Sequence, residues 1–215
     1  LDAPVVLMRA AERLSGIVQG NLNIDWTQNE AHKETVINGL PDMIGGLLTD
    51  SDIDVIHGRG VFEDNHTIVV AGKSVTADKI VISTGLRPHR LDISGSELAH
   101  DSRDFMALKT LPQKIAIIGS GYISMEFATI ANAAGADITV FMHGDRALRQ
   151  FHAPYVDKVV TDLKQRGVTF ISNADVTAFE QNGDQIQVIY SDNQSLSVDW
   201  VLDASGRVPN VDNIG

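Results

Sequence analysis

The sequence predicts an α/β fold organised on a parallel sheet, and three observations carry that expectation. Lys114–Ile118 is an almost wholly apolar run ending at Gly119-Ser120-Gly121, with a helical pattern over Tyr122–Ala134 directly after it. Strand patterns at Asp137–Met142 and Val168–Ser172 flank a second helical pattern, Pro154–Arg166. Each helix stops at a glycine, Gly135 and Gly167, where a left-handed residue commonly ends a helix. An apolar strand without alternation suits a parallel sheet covered on both faces. Strands alternating with helices form βαβ units.

The remaining elements read in order. Val5, Val6, Met8, Ala11 and Leu14 have helical spacing, which predicts a helix over Val5–Val18. A polar loop, Asn21–Asn29, holds Trp26. Val36, Ile37, Leu40, Met43, Ile44 and Leu47 predict one long helix from about Asn29 to Leu48. A short strand is expected at Ile53–His57, broken by Gly58-Arg59-Gly60 and resumed at Val61-Phe62. Thr67–Val70 and Ser74–Thr76 read as strands joined by a turn at Ala71-Gly72-Lys73. Lys79–Ser83 reads as a buried strand ending in Thr84-Gly85. Arg87-Pro88 and Ser94-Gly95-Ser96 read as a linker, and Asp101–Leu108 as a short helix. After the βαβαβ run, Asp175–Phe179 and Gln185–Tyr190 form a hairpin around Glu180–Asp184, and Trp200–Ala204 is a last strand.

Composition narrows the function classes. The 215 residues are 43% hydrophobic and 21% charged, ordinary for a globular protein. A net charge of -11 disfavours phosphate backbones and anionic lipid, so neither nucleic acid nor membrane is expected as a partner, and a cytoplasmic protein is the default. Cys is absent, which excludes disulfides, thiolate metal sites and a cysteine nucleophile within the chain. The seven histidines show no metal-ligand spacing, and no G-x-S-x-G elbow is present. Neither a metal nor a catalytic residue is expected. The first residues read as mid-helix and the last as a loop, so an excerpt of a longer protein is expected.

Gly119-Ser120-Gly121-Tyr122-Ile123-Ser124 is a G-x-G-x-x-S between a buried strand and a helix. In that context it predicts a Rossmann-like dinucleotide site. Gly119 permits the turn, Gly121 admits a pyrophosphate to the backbone, and the helix N-terminus offers free N–H groups. An acidic residue about 20 positions on would bind a ribose 2′-hydroxyl. Met142 occupies that place, and Asp145 lies three residues further. His143, Arg146 and Arg149 suit a 2′-phosphate instead, so NADP is expected, with NAD as the alternative. Tyr122 and Glu126 could equally be packing and solvent-facing residues of the helix.

Three motifs in this order carry a resemblance. They are Val81-Ile82-Ser83-Thr84-Gly85-Leu86-Arg87-Pro88, the segment Gly119–Phe127, and Asp203-Ala204-Ser205-Gly206-Arg207-Val208-Pro209-Asn210. Together they resemble the pyridine nucleotide–disulfide oxidoreductases, and within that family the nearest likeness is to glutathione reductase. The resemblance implies an α/β chain with a Rossmann-like three-layer NAD(P)-binding domain over 109–215 and an incomplete FAD-binding domain over 1–108. It implies a flavoenzyme parent that passes hydride from NADPH to FAD and then electrons to a redox disulfide.

Arg149 matches a phosphate-binding arginine of the family. A second such arginine falls on His143, where the contact would be weaker or pH-dependent, and Arg146 is a substitute. Gly119, Ser120, Gly121, Tyr122, Ile123 and Glu126 would line the nucleotide site, with Tyr122 covering the flavin face and Glu126 pairing with a flavin-side lysine. Gly206 would lie near the nicotinamide, and Gly60, Thr84 and Gly85 near FAD. The family's N-terminal FAD fingerprint, its cysteine pair and its C-terminal dimerisation segment do not match any residue of this sequence. The chain alone is therefore expected to be inactive, and its parent a homodimer acting on a small-molecule disulfide. The rival expectations are an NADH-using relative (NADH oxidase, coenzyme A disulfide reductase or dihydrolipoamide dehydrogenase) and a stand-alone nucleotide-sensing module.

Overall fold

The computed structural model describes residues 2–14, 17 and 22–215. Along the chain run α1 (Ala3–Arg13), α2 (Trp26–Ile37), α3 (Leu40–Asp50), β1 (Gly60–Asp64), β2 (Thr67–Val70), β3 (Lys73–Thr76) and β4 (Leu86–Pro88). A 3₁₀ turn at Ser96–Leu98 precedes α4 (Ser102–Met106), β5 (Lys114–Ile118), α5 (Tyr122–Ala133), β6 (Asp137–Phe141), α6 (Ala153–Gln165) and β7 (Thr169–Ile171). Then come β8 (Val176–Asn182), β9 (Gln185–Tyr190), β10 (Gln194–Val198), β11 (Trp200–Asp203) and β12 (Arg207–Pro209). Two compact units result: Leu1–Lys33 with Pro88–Gly206, and Glu34–Arg87 with Arg207–Gly215.

The first unit holds a four-stranded parallel sheet in the order β11-β5-β6-β7. Period-two alternation distributes β5 between two cores. Ile115 and Ile117 pack with Met125, Phe127 and Ala128 of α5 and with Val156 and Leu163 of α6. Ala116 and Ile118 pack with Phe179, Val188 and Val198 of the antiparallel sheet β10-β9-β8. Helices, parallel sheet and antiparallel sheet make three layers, and the expected α/β class stands. The loop before α4 supplies a capping box: Asp101 accepts from the Arg103 and Asp104 N–H groups, and Asp104 accepts from the Asp101 N–H. Burial pushes the Asp101 carboxyl up, but the hydrogen bonds from the Arg103 side chain and from both backbone N–H groups outweigh it and hold the pKa below the ordinary range.

Trp26 corrects one expectation. It starts α2 instead of sitting in a polar loop, and its side chain is buried edge-on to Phe105 while Nε1 donates to Leu108 O at 2.8 Å. Asp25 marked that start, since its Oδ1 accepts from the Gln28 N–H as an N-cap does. Glu30, one turn on, is buried. Hydrogen bonds from Lys109 (2.7 Å) and Lys33 (3.0 Å) hold its carboxyl below the ordinary range.

The second unit departs further from expectation. The long helix over 29–48 is two helices, because Pro41 lacks an N–H and restarts the helix in its own first turn, behind Gly39. Ile53–His57 and Lys79–Ser83 are not strands. Ile53, Val55, Ile56, Val81 and Ile82 are exposed, and no ladder includes them among the described residues. The hairpin β2-β3 is as the turn chemistry suggested, with Ala71 and Gly72 both at positive φ, and β1 pairs on its other edge as a third strand. In the first unit, β8 continues to Asn182, so the hairpin turn narrows to Gly183-Asp184. β10 was not anticipated; its alternating Leu196 and Val198 were diluted by serines. The helix expected over Val5–Val18 ends at Arg13, and residues 15, 16 and 18 lie outside the described residues.

Candidate functional site

The strand order makes β5 a switch point. From it the chain winds outward through β6 and β7, then returns by way of the antiparallel sheet to place β11 on β5's other side. Ligands of open α/β sheets bind at the carboxyl ends of strands where the winding reverses. A cleft of about 420 Å³ lies there. Its floor is Gly119, Ser120, Gly121 and Tyr122, which follow β5. His143, Gly144, Leu148, Arg149, Gln150 and Phe151 form a wall after β6, and Ser205 follows β11.

The two glycines do different work. Gly119 takes φ +104, and an added Cβ would stand 2.5 Å from Ala204 O, so only glycine lets the turn pass that close to the β11 end. An added Cβ on Gly121 would meet nothing within 4 Å. The space above Gly121 is thus open to a ligand atom. Gly121 is also the N-cap of α5 and makes no side-chain cap, leaving N–H groups of the first turn available to an anion. Ser124, in place of a third glycine, is fully buried against the sheet, and its hydroxyl has no hydrogen-bond partner among the described residues.

The wall after β6 carries the charge. Met142 is buried in the helix-side core, so no carboxylate leaves the strand end at that position. His143 is exposed and its Nδ1 lies 2.8 Å from Asp175 Oδ1. Arg149 reaches back across Gly144. Arg146 is not on the cleft wall: its Nη2 donates to Arg149 O at 2.7 Å and Phe151 O at 3.4 Å.

Buried Asp203 sets the third side. Its Oδ1 accepts from the Ser205 N–H (3.1 Å) and Oγ–H (2.6 Å), and its Oδ2 accepts from the Leu91 N–H (3.0 Å). Sequence reasoning missed Asp203 and Ser205 as site residues, although both stand in the third motif.

Other expected site residues lie elsewhere. Ile123 packs on the helix-side core, and Glu126 is exposed on α5 away from the cleft lining. Gly206 O accepts from the His89 N–H at 3.0 Å. Gly60, Thr84 and Gly85 belong to the second unit. There Asn210 donates from its side chain to Thr84 O (3.3 Å) and from its backbone to Gly85 O (3.0 Å). Arg207 donates to Leu86 O, and Arg87 pairs with Asp212. The ends of the first and third motifs, tied by contacts between residues 121 to 126 positions apart, are therefore one loop pair. Among the described residues no carboxylate–histidine group could hold a metal, and no helix is long and apolar enough to cross a membrane.

A family model described as "Pyridine nucleotide-disulphide oxidoreductase" matches residues 6–214. A glutathione reductase from Nostoc sp. is 34% identical over 198 residues, covering 91% of this chain and 43% of that protein. A dihydrolipoyl dehydrogenase from Bacillus subtilis is 31% identical over 209 residues, covering 93% of this chain and 44% of that protein. Among solved structures, the HOCl-induced flavoprotein disulfide reductase RclA from Escherichia coli is similar with a TM-score of 0.83 at 30% identity. That similarity covers 98% of this chain and 48% of the RclA chain. The chain spans less than half the length of the curated relatives it matches.

Proposed function

The chain belongs to the pyridine nucleotide–disulphide oxidoreductase family, and from that premise we propose that its cleft binds NADP(H) for an FAD-dependent disulfide reductase of the glutathione reductase kind. The carrying observation is the open space over Gly121 at the N-terminus of α5, with Arg149 and His143 on the facing wall. That space accommodates a pyrophosphate. The first-turn N–H groups of α5 bind it and orient the dinucleotide along the cleft. Arg149 and His143 are positively charged or chargeable groups for a 2′-phosphate. Asp203 holds the Ser205 turn against the other side, next to Gly206, where the nicotinamide end would lie.

Residues 109–215 are the NAD(P)-binding domain in this reading, and 1–108 contribute to an FAD domain through Gly60, Thr84 and Gly85. When bound, the nicotinamide would supply hydride and the flavin would supply the electron relay to a disulfide. The chain's own residues would bind and orient the dinucleotide, and none of its side chains is a thiol that could enter the exchange. A cytoplasmic homodimer acting on a small-molecule disulfide belongs to the same proposal. Asp175 favours a second reading: a carboxylate beside His143 suits a free ribose hydroxyl, and an NADH-using parent, better than a phosphate.

Calorimetric titration with NADPH and NADH separates the two. The expected result is NADPH binding at least about tenfold tighter, a gap of roughly 1.4 kcal/mol. Equal or tighter NADH binding overturns the NADP assignment.

A further inference from the structure

The geometry points to Gly144 and Arg146 as the residues that set NADP preference, by holding Arg149 in place before any nucleotide arrives. This inference rests on the NADP reading of the cleft. The wall loop from 142 to 151 is fastened along its length. Ala174 N–H donates to Met142 O at 2.9 Å, and Asn173 N–H to Gly144 O at 3.0 Å. Ala147 is buried in the helix-side core. Leu148 takes φ +47, a conformation side chains other than glycine rarely hold, and its N–H donates to Ser120 O at 2.9 Å. The loop is thereby tied to the Gly119-Ser120-Gly121 turn itself.

Arg146 closes the far end. Its Nη2 donates to the carbonyls of both Arg149 and Phe151, so its donors serve the loop's own backbone. Arg146 is a positioning residue. The two N–H groups of its Nη2 are fixed in the guanidinium plane, a direction that a lysine ammonium on a flexible stem does not hold. Gly144 supplies the seat. The Arg149 guanidinium lies where a Cβ on residue 144 would stand, with Nη2, Cζ and Nε the three nearest atoms. Those atoms are the free end of a flexible side chain, so an alanine at 144 would displace the guanidinium without disturbing the backbone. A cation held in position loses less side-chain entropy when it captures a phosphate.

The test compares Kd for NADPH and NADH in the 215-residue chain and in Gly144→Ala, Arg146→Lys and Arg149→Met, with melting temperatures alongside. Gly144→Ala is expected to weaken NADPH by about tenfold, the scale of a lost charged hydrogen bond, to leave NADH unchanged, and to melt with the parent chain. Arg146→Lys keeps the charge and is expected to narrow the preference as Gly144→Ala does. If Arg146 were itself a phosphate ligand, lysine would preserve most of the preference, and that result overturns the brace. A wild-type preference that survives unchanged in Gly144→Ala also overturns it, while loss of preference in Arg149→Met alone leaves the phosphate site standing. A wild-type chain without preference defeats the NADP reading instead.

Discussion

Two five-residue runs read almost alike and end up differently. Lys114-Ile115-Ala116-Ile117-Ile118 is a central strand, and Ile117 is fully buried. Lys79-Ile80-Val81-Ile82-Ser83 is irregular, and Val81 is 85% exposed. Their residue content does not explain the contrast, since β-branched residues dominate both. The difference is in their neighbours. β6 and β11 bracket the first run with parallel ladders on both edges, and helices and an antiparallel sheet cover its two faces. The second run has no ladder among the described residues. An apolar run asks for burial; only a partner with free N–H and C=O groups makes it a strand.

The contrast breaks or holds under substitution. Ile117→Ala should cost about 2–5 kcal/mol, the range for emptying a packed core site. Val81→Ala should change stability by less than about 0.5 kcal/mol, as exposed positions do. Urea unfolding of both variants checks this, and a large loss at Val81 would mean that the second run is buried after all.

A finer version of the contrast lies inside the cleft. Gly119→Ala meets Ala204 O and must hold φ +104, a strain on the order of 1–3 kcal/mol before the collision is counted. Gly121→Ala enters open space and should leave stability within about 0.5 kcal/mol while abolishing detectable NADPH binding. Thermal melts paired with titrations distinguish them; equal destabilisation would erase the division of labour between the two glycines.

The smallest expected effect is at Glu30, on the helix that Trp26 anchors to the same core. Its pKa is lowered in the fold, by the hydrogen bonds from Lys109 and Lys33, from an ordinary 4.5. The carboxylate's stabilisation is therefore present above pH 4.5 and is lost as the pH falls through the lowered value. Glu30→Gln should melt below the parent chain at pH 7, and the gap should close in acid. A gap independent of pH would assign Glu30 a packing role without charge.

The βαβαβ run from 114 to 171 was legible because each signal in it is local. The strand β5 has the bounds that its apolar run suggested, and Gly135 and Gly167 sit at φ +99 and +94 just past their helices. The glycine turn was legible for the same reason. Two local signals were overlooked, the cap at Asp25 and the helix restart at Pro41. The wall of the cleft was readable only in part: His143 and Arg149 stand out as basic residues near a strand end, whereas the closeness of Gly144 to the Arg149 guanidinium depends on where that side chain folds.

The amino-acid sequence by itself determined the α/β class, the tight glycine turn at Gly119–Gly121 and the family, because each rests on residue types at short spacing. Tertiary structure alone decided which apolar runs became strands. It also decided that Asp203 would hold Ser205 and that Arg146 would hold its own loop while Arg149 faced the cleft. Those outcomes depend on hydrogen-bond partners and packed faces brought together from distant parts of the chain, and no local pattern encodes which partner arrives.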